Sequence, residues 1–103
     1  MRIIKEKTLI DLVVSKKYST ATESLKAWIF EVRKADWGNS GQLKAKYRNA
    51  SIIGNKRVVF NIKGNDFRLI ADVEYELKLV FIVWFGTHEE YNKIDAKTIR
   101  YEK

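Results

Sequence analysis

From Ser51 onward the chain alternates short apolar stretches with pairs of small polar residues, and this rhythm limits the possible folds more than any other feature. Gly54-Asn55 separates Ser51-Ile52-Ile53 from Val58-Val59-Phe60-Asn61-Ile62, and Lys63-Gly64-Asn65-Asp66 separates that stretch from residues 67–74. Glycine and asparagine tolerate the positive φ of tight turns, so two successive antiparallel hairpins are expected. Residues 77–85 then form a nearly continuous apolar run, the pattern of a central strand covered on both faces, which Gly86-Thr87 ends.

The first half reads as helical. Leu9, Ile10, Leu12, Val13 and Val14 cluster in one short helix, and Ser19-Thr20-Ala21-Thr22-Glu23 opens a second, with Thr20 and Glu23 at capping-box spacing. Leu25, Trp28, Ile29 and Val32 recur at offsets of three and four, a stripe suited to packing on a sheet while Lys26, Arg33 and Lys34 face water. Gly38-Asn39-Ser40-Gly41 breaks that helix and residues 42–47 resume it briefly. Helices followed by strands predict an α+β fold with an antiparallel sheet. With 103 residues, no proline, dispersed glycines and no internal repeat, the expectation is one domain spanning 1–103.

Composition narrows the chemistry. No cysteine means no disulfide framework and no thiolate metal site, and a single histidine leaves the usual zinc cages out of reach, so no metal ligands are assigned. The 20 Lys+Arg against 13 Asp+Glu give a net charge of +7, which favours a polyanionic partner such as RNA, DNA or an acidic protein. No apolar run approaches the roughly 20 residues of a spanning helix, and the opening Met1-Arg2-Ile3-Ile4-Lys5-Glu6-Lys7 is no signal peptide, so a cytoplasmic protein without a membrane partner is expected.

If the 63–66 loop closes a hairpin with Ile62 opposite Phe67, Asn61 lies opposite Arg68 and both point to one face. The other face carries Val58, Phe60, Ile62, Phe67, Leu69, Ala71 and Val73 and is core, whereas the Asn61/Arg68 face also holds Arg57, Val59, Ile70 and Asp72. Trp84 joins this mixed face if the turn at Tyr75-Glu76 keeps parity, and a one-residue slip sends it into the core. Beyond the last strand, Thr87 and Glu90 have capping-box spacing, which makes His88 the first residue of a short helix and places Tyr91 within reach of the same face. Free N–H groups at that helix start would favour a phosphate. Metal-free RNA cleavage needs such a set: a base for the 2′-OH, an acid for the 5′-oxygen, and positive charge for the phosphorane. Each residue also has a plain structural role open to it: His88 as a surface or capping residue, Arg68 as an exposed charge beside Asp66, Tyr91 as packing for Ile94.

Tyr47-Arg48-Asn49-Ala50-Ser51-Ile52-Ile53-Gly54-Asn55, Arg57-Val58-Val59-Phe60-Asn61-Ile62-Lys63-Gly64-Asn65, Arg68-Leu69 and Gly86-Thr87-His88-Glu89-Glu90-Tyr91 together resemble the HigB family of type II toxins in order and spacing. The resemblance implies the RelE/ParE-like fold, with N-terminal helices on one face of a small antiparallel sheet, RNA on the opposite face, and a short C-terminal helix. It implies an endoribonuclease, an mRNA interferase acting commonly on the translating ribosome, in which the ribose 2′-OH attacks its own 3′-phosphate without a cofactor. Carried onto this chain, Arg68 neutralises the phosphorane, His88 is general acid or base, and Tyr91 positions or activates the reacting oxygens. Arg57, Asn61, Lys63 and Trp84 are the residues expected to contact RNA. The implied partner is HigA, a helix-turn-helix antitoxin through which the complex binds operator DNA. Two alternatives remain: a ParE-like inhibitor of gyrase, which His88 and Tyr91 argue against, and an inactive protein that only binds RNA or antitoxin.

Overall fold

The computed structural model describes residues 1–54 and 56–100. Its elements run β1 (Arg2–Ile4), α1 (Glu6–Val13), a 3-10 helix (Lys16–Ala21), α2 (Thr22–Lys34), α3 (Ser40–Lys46), β2 (Ser51–Ile53), β3 (Arg57–Ile62), β4 (Phe67–Glu74), β5 (Leu79–Thr87) and α4 (His88–Tyr91). The strands form one sheet in the order β1-β5-β4-β3-β2. From β5 to β2 every pairing is antiparallel, as the turn signals predict, and the expected register Asn61↔Arg68 and Ile62↔Phe67 is present. Gly54 and Gly64 adopt φ of 71° and 63°, the left-handed region that makes glycine suitable there; Asn55, the other half of the first turn, lies outside the described residues.

One strand was not anticipated. Arg2-Ile3-Ile4 pairs in parallel with Leu79-Val80-Phe81, so the sheet gains a parallel edge strand ahead of the helices. Three residues leading straight into a helix carry no alternation to read, and only the distant partner strand makes them β.

Boundaries also move. The Thr20/Glu23 capping box does not form: the 3-10 helix runs directly into α2, Ala21 at the junction is already αR, and Thr22 donates instead to the Ser19 carbonyl at 2.7 Å. Helix α3 starts at Ser40, inside the expected break, because the Asn39 side chain accepts the Gln42 N–H at 3.0 Å and caps it. Strand β5 begins at Leu79 and continues through Gly86 to Thr87, while Leu77 sits exposed in the preceding turn. In the α1 cluster, Leu9 and Val13 are buried whereas Ile10 and Val14 face outward.

The main core lies between the helices and one face of the sheet. Leu25, Trp28, Ile29 and Val32 of α2 meet Val58, Phe60, Ile62, Leu69, Ala71 and Val73 there. Burying an aliphatic or aromatic side chain of this size contributes about 1.5–3 kcal/mol, so this stripe dominates the stability of the fold. On the mixed face a smaller cluster of Val59, Ile70, Val83 and Ala96 is covered by Ile94 and Ile99 from the segment after α4. This second layer over part of the mixed face was not expected from the sequence.

A β-bulge fixes the side to which the end of β5 points. Ala71 pairs with Ile82 and Ile70 with Trp84, which leaves Val83 as an extra residue on β5. Continued without the bulge, the pairing would place Trp84 opposite Leu69 in the core and Phe85 opposite Arg68. With it, Phe85 stacks on Phe67 in the core at 5.6 Å and Trp84 emerges on the mixed face, the side the parity argument had favoured.

Candidate functional site

At the end of the sheet where β3 and β4 turn, three side chains of the candidate set come together. Arg68 is only 9% exposed, although its place near a turn had allowed a surface charge. Its guanidinium donates to the Asn65 carbonyl at 3.0 Å, to the Phe67 carbonyl at 3.2 Å and to Asn65 Oδ1, and among the described residues no carboxylate pairs with it. The Tyr91 ring centroid lies 5.6 Å from Arg68 Cζ, a cation–π distance, and the Trp84 ring lies 6.3 Å from Tyr91. Asn61 sits beside Arg68 across the strand pair, half-buried.

Helix α4 is fixed from both ends of its sequence signal. Thr87 Oγ1 accepts the Glu90 N–H at 3.1 Å and Glu90 Oε1 accepts the Thr87 N–H at 2.9 Å, so this capping box is real. Glu90 also accepts from the Tyr18 hydroxyl at 2.9 Å and from Lys17, which ties the 3-10 helix to α4. Burial raises the Glu90 carboxyl pKa, yet the hydrogen bonds from Lys17, Thr87 and Tyr18 outweigh it and hold the value down at about 2. Tyr18 is shifted upward, by its burial first and by Glu90 second.

Part of the phosphate cradle expected at the start of α4 is taken up by the protein itself. The His88 N–H donates to the Asp66 carbonyl at 2.8 Å and the Glu90 N–H to Thr87, so amides counted on for an anion already have partners. His88 is the first residue of α4 as predicted, half-buried, with Nδ1 buried and lacking a hydrogen-bond partner among the described residues.

Gly86 shapes the same place. It pairs with Arg68, and a Cβ built on it would lie 2.6 Å from Trp84 Cη2 and 2.9 Å from Glu90 Oε1. Only glycine lets the indole lie down over the strand beside Tyr91.

The structure separates Arg57 from this group. Arg57 binds Asp72 through Nε at 2.8 Å and Nη2 at 2.9 Å, and its Nη1 donates to the Ala96 and Ile99 carbonyls. These contacts pin the 96–99 segment over the mixed face; its pKa is raised by Asp72. Four residues from Asn61 along β3, it stands roughly 13 Å away. Arg57, expected to contact RNA, thus anchors the 96–99 segment away from the Arg68 group. Lys63 is exposed in the turn with φ of 54°, beside the Arg68–Asn65 contact.

Sequence reasoning missed Asn65, which had been explained by turn chemistry alone and proves to hold the guanidinium. It also missed the Lys17–Tyr18–Glu90 cluster, whose members are 72 and 73 residues apart and leave no local signal. Among the described residues no group of three or more His, Cys, Asp or Glu side chains could hold a metal ion, and no helix is long and apolar enough to cross a membrane.

Comparison with known proteins gives one family. No curated protein matches the chain. The HigB toxin family, described as the RelE-like toxic component of a toxin–antitoxin system, matches residues 21–94, a stretch from the end of the 3-10 helix to just past α4 that includes Arg68, Trp84, His88 and Tyr91. Sheet, helical layer and family match agree, and the chain belongs to the HigB family of RelE-like toxins.

Proposed function

We propose that this toxin is an endoribonuclease that cleaves RNA by transesterification at the Arg68–Tyr91–His88 end of the sheet. The observation that carries this reading is the state of Arg68. A buried guanidinium costs several kcal/mol in lost hydration, and an ion-paired neighbour usually offsets part of that. Here the guanidinium is held by carbonyl and amide oxygens, with no carboxylate to neutralise it among the described residues, so it retains its charge for an incoming anion.

That charge determines the chemistry. The ribose 2′-oxygen bonds to phosphorus, the bond from phosphorus to the 5′-oxygen breaks, and a 2′,3′-cyclic phosphate and a 5′-hydroxyl result. The 2′-OH proton goes to a base and the leaving oxygen takes one from an acid, while Arg68 stabilises the charge gathering on the phosphorane. In this reading His88 exchanges the proton; its Nδ1 is buried, which leaves that role to Nε2. Tyr91, in contact with Arg68, orients the phosphate oxygens, and Trp84 offers a face on which a base stacks. Asn61 and Lys63 contact the adjoining backbone. In this reading the RNA is messenger RNA met on the translating ribosome. The antitoxin that a toxin of this family requires is a HigA-type helix-turn-helix protein, through which the complex reaches operator DNA.

The test is induced expression of the chain without antitoxin, with transcript ends mapped by primer extension, beside His88→Ala and Arg68→Lys. Arg68→Lys keeps the charge but loses the planar fork, and it avoids emptying a buried position. New ends and growth arrest that disappear in both variants support the nuclease. Arrest with intact transcripts would replace it with a gyrase-type target, and new ends that persist in both variants would misplace the site.

A further inference from the structure

We propose that a recess beside β3, formed by Lys46, Arg48, Asn49, Asn61 and the Gly64 turn, is a second phosphate subsite that holds the nucleotide next to the one at Arg68. The inference rests on the RNA reading of the Arg68 site and extends it to a surface of which the nuclease reading uses only Asn61.

The recess arises from the topology. Strand β2 begins at Ser51 opposite Val59, so β3 runs on through Phe60, Asn61 and Ile62 with no strand beside it on that edge. The chain from Lys46 to Ala50 stands off from this edge and leaves a cavity of about 380 Å³ lined by residues 46–50, Phe60, Asn61 and Gly64. Lys44 donates to the Ala50 carbonyl and the Tyr47 hydroxyl donates to Glu31 at 2.6 Å, and these contacts hold the loop in place. Burial and then Glu31 drive the Tyr47 pKa upward, so the phenol stays neutral.

Two cations meet at this recess without a counter-ion among the described residues. Five cations elsewhere are matched: Lys17 with Glu90, Arg33 with Glu6, Lys56 with Glu74, Arg57 with Asp72, Lys78 with Asp36. Lys46 and Arg48 are exposed at the recess with no ion pair among the described residues, and no carboxylate lines it. Asn49 and Asn61 add side-chain amides that can donate to phosphate oxygens. The apolar lining, Phe60 and Ala50, is 1% and 2% exposed, so the recess offers little grip to the apolar side chains of a protein partner.

Register joins the two sites. Asn61 is the direct partner of Arg68, so the strand that edges the recess is the neighbour of the strand that carries the guanidinium, about 5 Å between backbones. A single-stranded RNA crossing β4 and β3 roughly at right angles would present one phosphate to Arg68 and the next to Lys46 and Arg48.

The experiment measures binding and cleavage separately. Binding of a short fluorescein-labelled oligouridylate is followed by anisotropy across a salt series, in a His88→Ala background that prevents cutting. Lys46→Ala/Arg48→Ala is expected to weaken binding about tenfold at low salt and to flatten the log–log salt dependence by about 0.7 per lost phosphate contact. Lys7→Ala/Lys26→Ala, two exposed lysines of α1 and α2, controls for net charge and should leave the slope unaltered. Equal losses in both pairs, or no loss in the first, overturn the subsite. Binding lost for an acidic peptide but kept for RNA overturns it as well. The nuclease reading fails independently: RNA held through Lys46 and Arg48 but never cut sustains the subsite without the enzyme, and cutting with an unaltered KM in Lys46→Ala/Arg48→Ala sustains the enzyme without the subsite.

Discussion

Glu90→Gln should destabilise the protein at neutral pH and lose that effect in acid, because Glu90 joins three parts of the chain through its charge. The carboxylate accepts from Lys17, Tyr18 and the Thr87 N–H, and its pKa falls from 4.5 to about 2. A depressed pKa means the folded state binds its proton more weakly than the unfolded state. The contribution is therefore complete above the unfolded value of 4.5 and is lost as pH falls toward about 2. The full shift corresponds to roughly 3 kcal/mol. With Glu90 29% and Lys17 62% exposed, solvent screening reduces the expected contribution to about 1–2 kcal/mol. Glutamine can still accept from Thr87 and keeps the capping box, so the substitution isolates the charge. Urea unfolding followed by circular dichroism should show the variant weaker by that amount at pH 7, with the gap narrowing from pH 4.5 down toward about pH 2. A constant gap across this range, or none at pH 7, would refute the reasoning. Because α4 carries His88 and Tyr91, RNA cleavage by the variant should fall in parallel with local exposure of residues 88–91 to hydrogen exchange.

Gly86→Ala would drive a methyl into the Trp84 indole and Glu90, so a loss of about 1–3 kcal/mol and reduced RNA cleavage are expected; an unchanged melting temperature would contradict the close approach. Arg57→Met removes the Asp72 pair and both tail contacts, which should cost about 1–3 kcal/mol and speed hydrogen exchange at residues 96–99, while protection there as in the unaltered chain would show that apolar contacts alone hold the segment. Asn39→Ala deletes the cap of α3 and should lower stability by about 0.5–2 kcal/mol in urea unfolding without altering cleavage; a drop in cleavage would tie α3 to the site more closely than its cap does.

Much of the fold was legible because its signals are local. Turn residues at 63–66 set the register that puts Asn61 opposite Arg68, and the spacing of Leu25, Trp28, Ile29 and Val32 gave the buried face of α2. The Thr87/Glu90 box marked α4 correctly, whereas the same spacing at Thr20/Glu23 misled because a preceding 3-10 helix removed the free helix start that a box needs. The parallel strand β1 left no trace in three residues. At the site, residue types were readable but their partners were not: the sequence left Arg68 open as a surface charge, and nothing along the chain paired Arg57 with Asp72.

What the sequence determined by itself is whatever depends on neighbours along the chain: the hairpins, the amphipathic stripe of α2, the start of α4 and the motif order that marks the family. Tertiary structure alone decided which charges are matched and which are not, since Arg57 meets Asp72 and the tail carbonyls while Arg68 meets no carboxylate among the described residues. It also decided, through one extra residue at Val83, that Trp84 faces the site and Phe85 the core. Side-chain direction in a strand has a period of two, so a single bulge inverts every assignment beyond it, and electrostatic pairing acts through space between residues that the sequence keeps far apart.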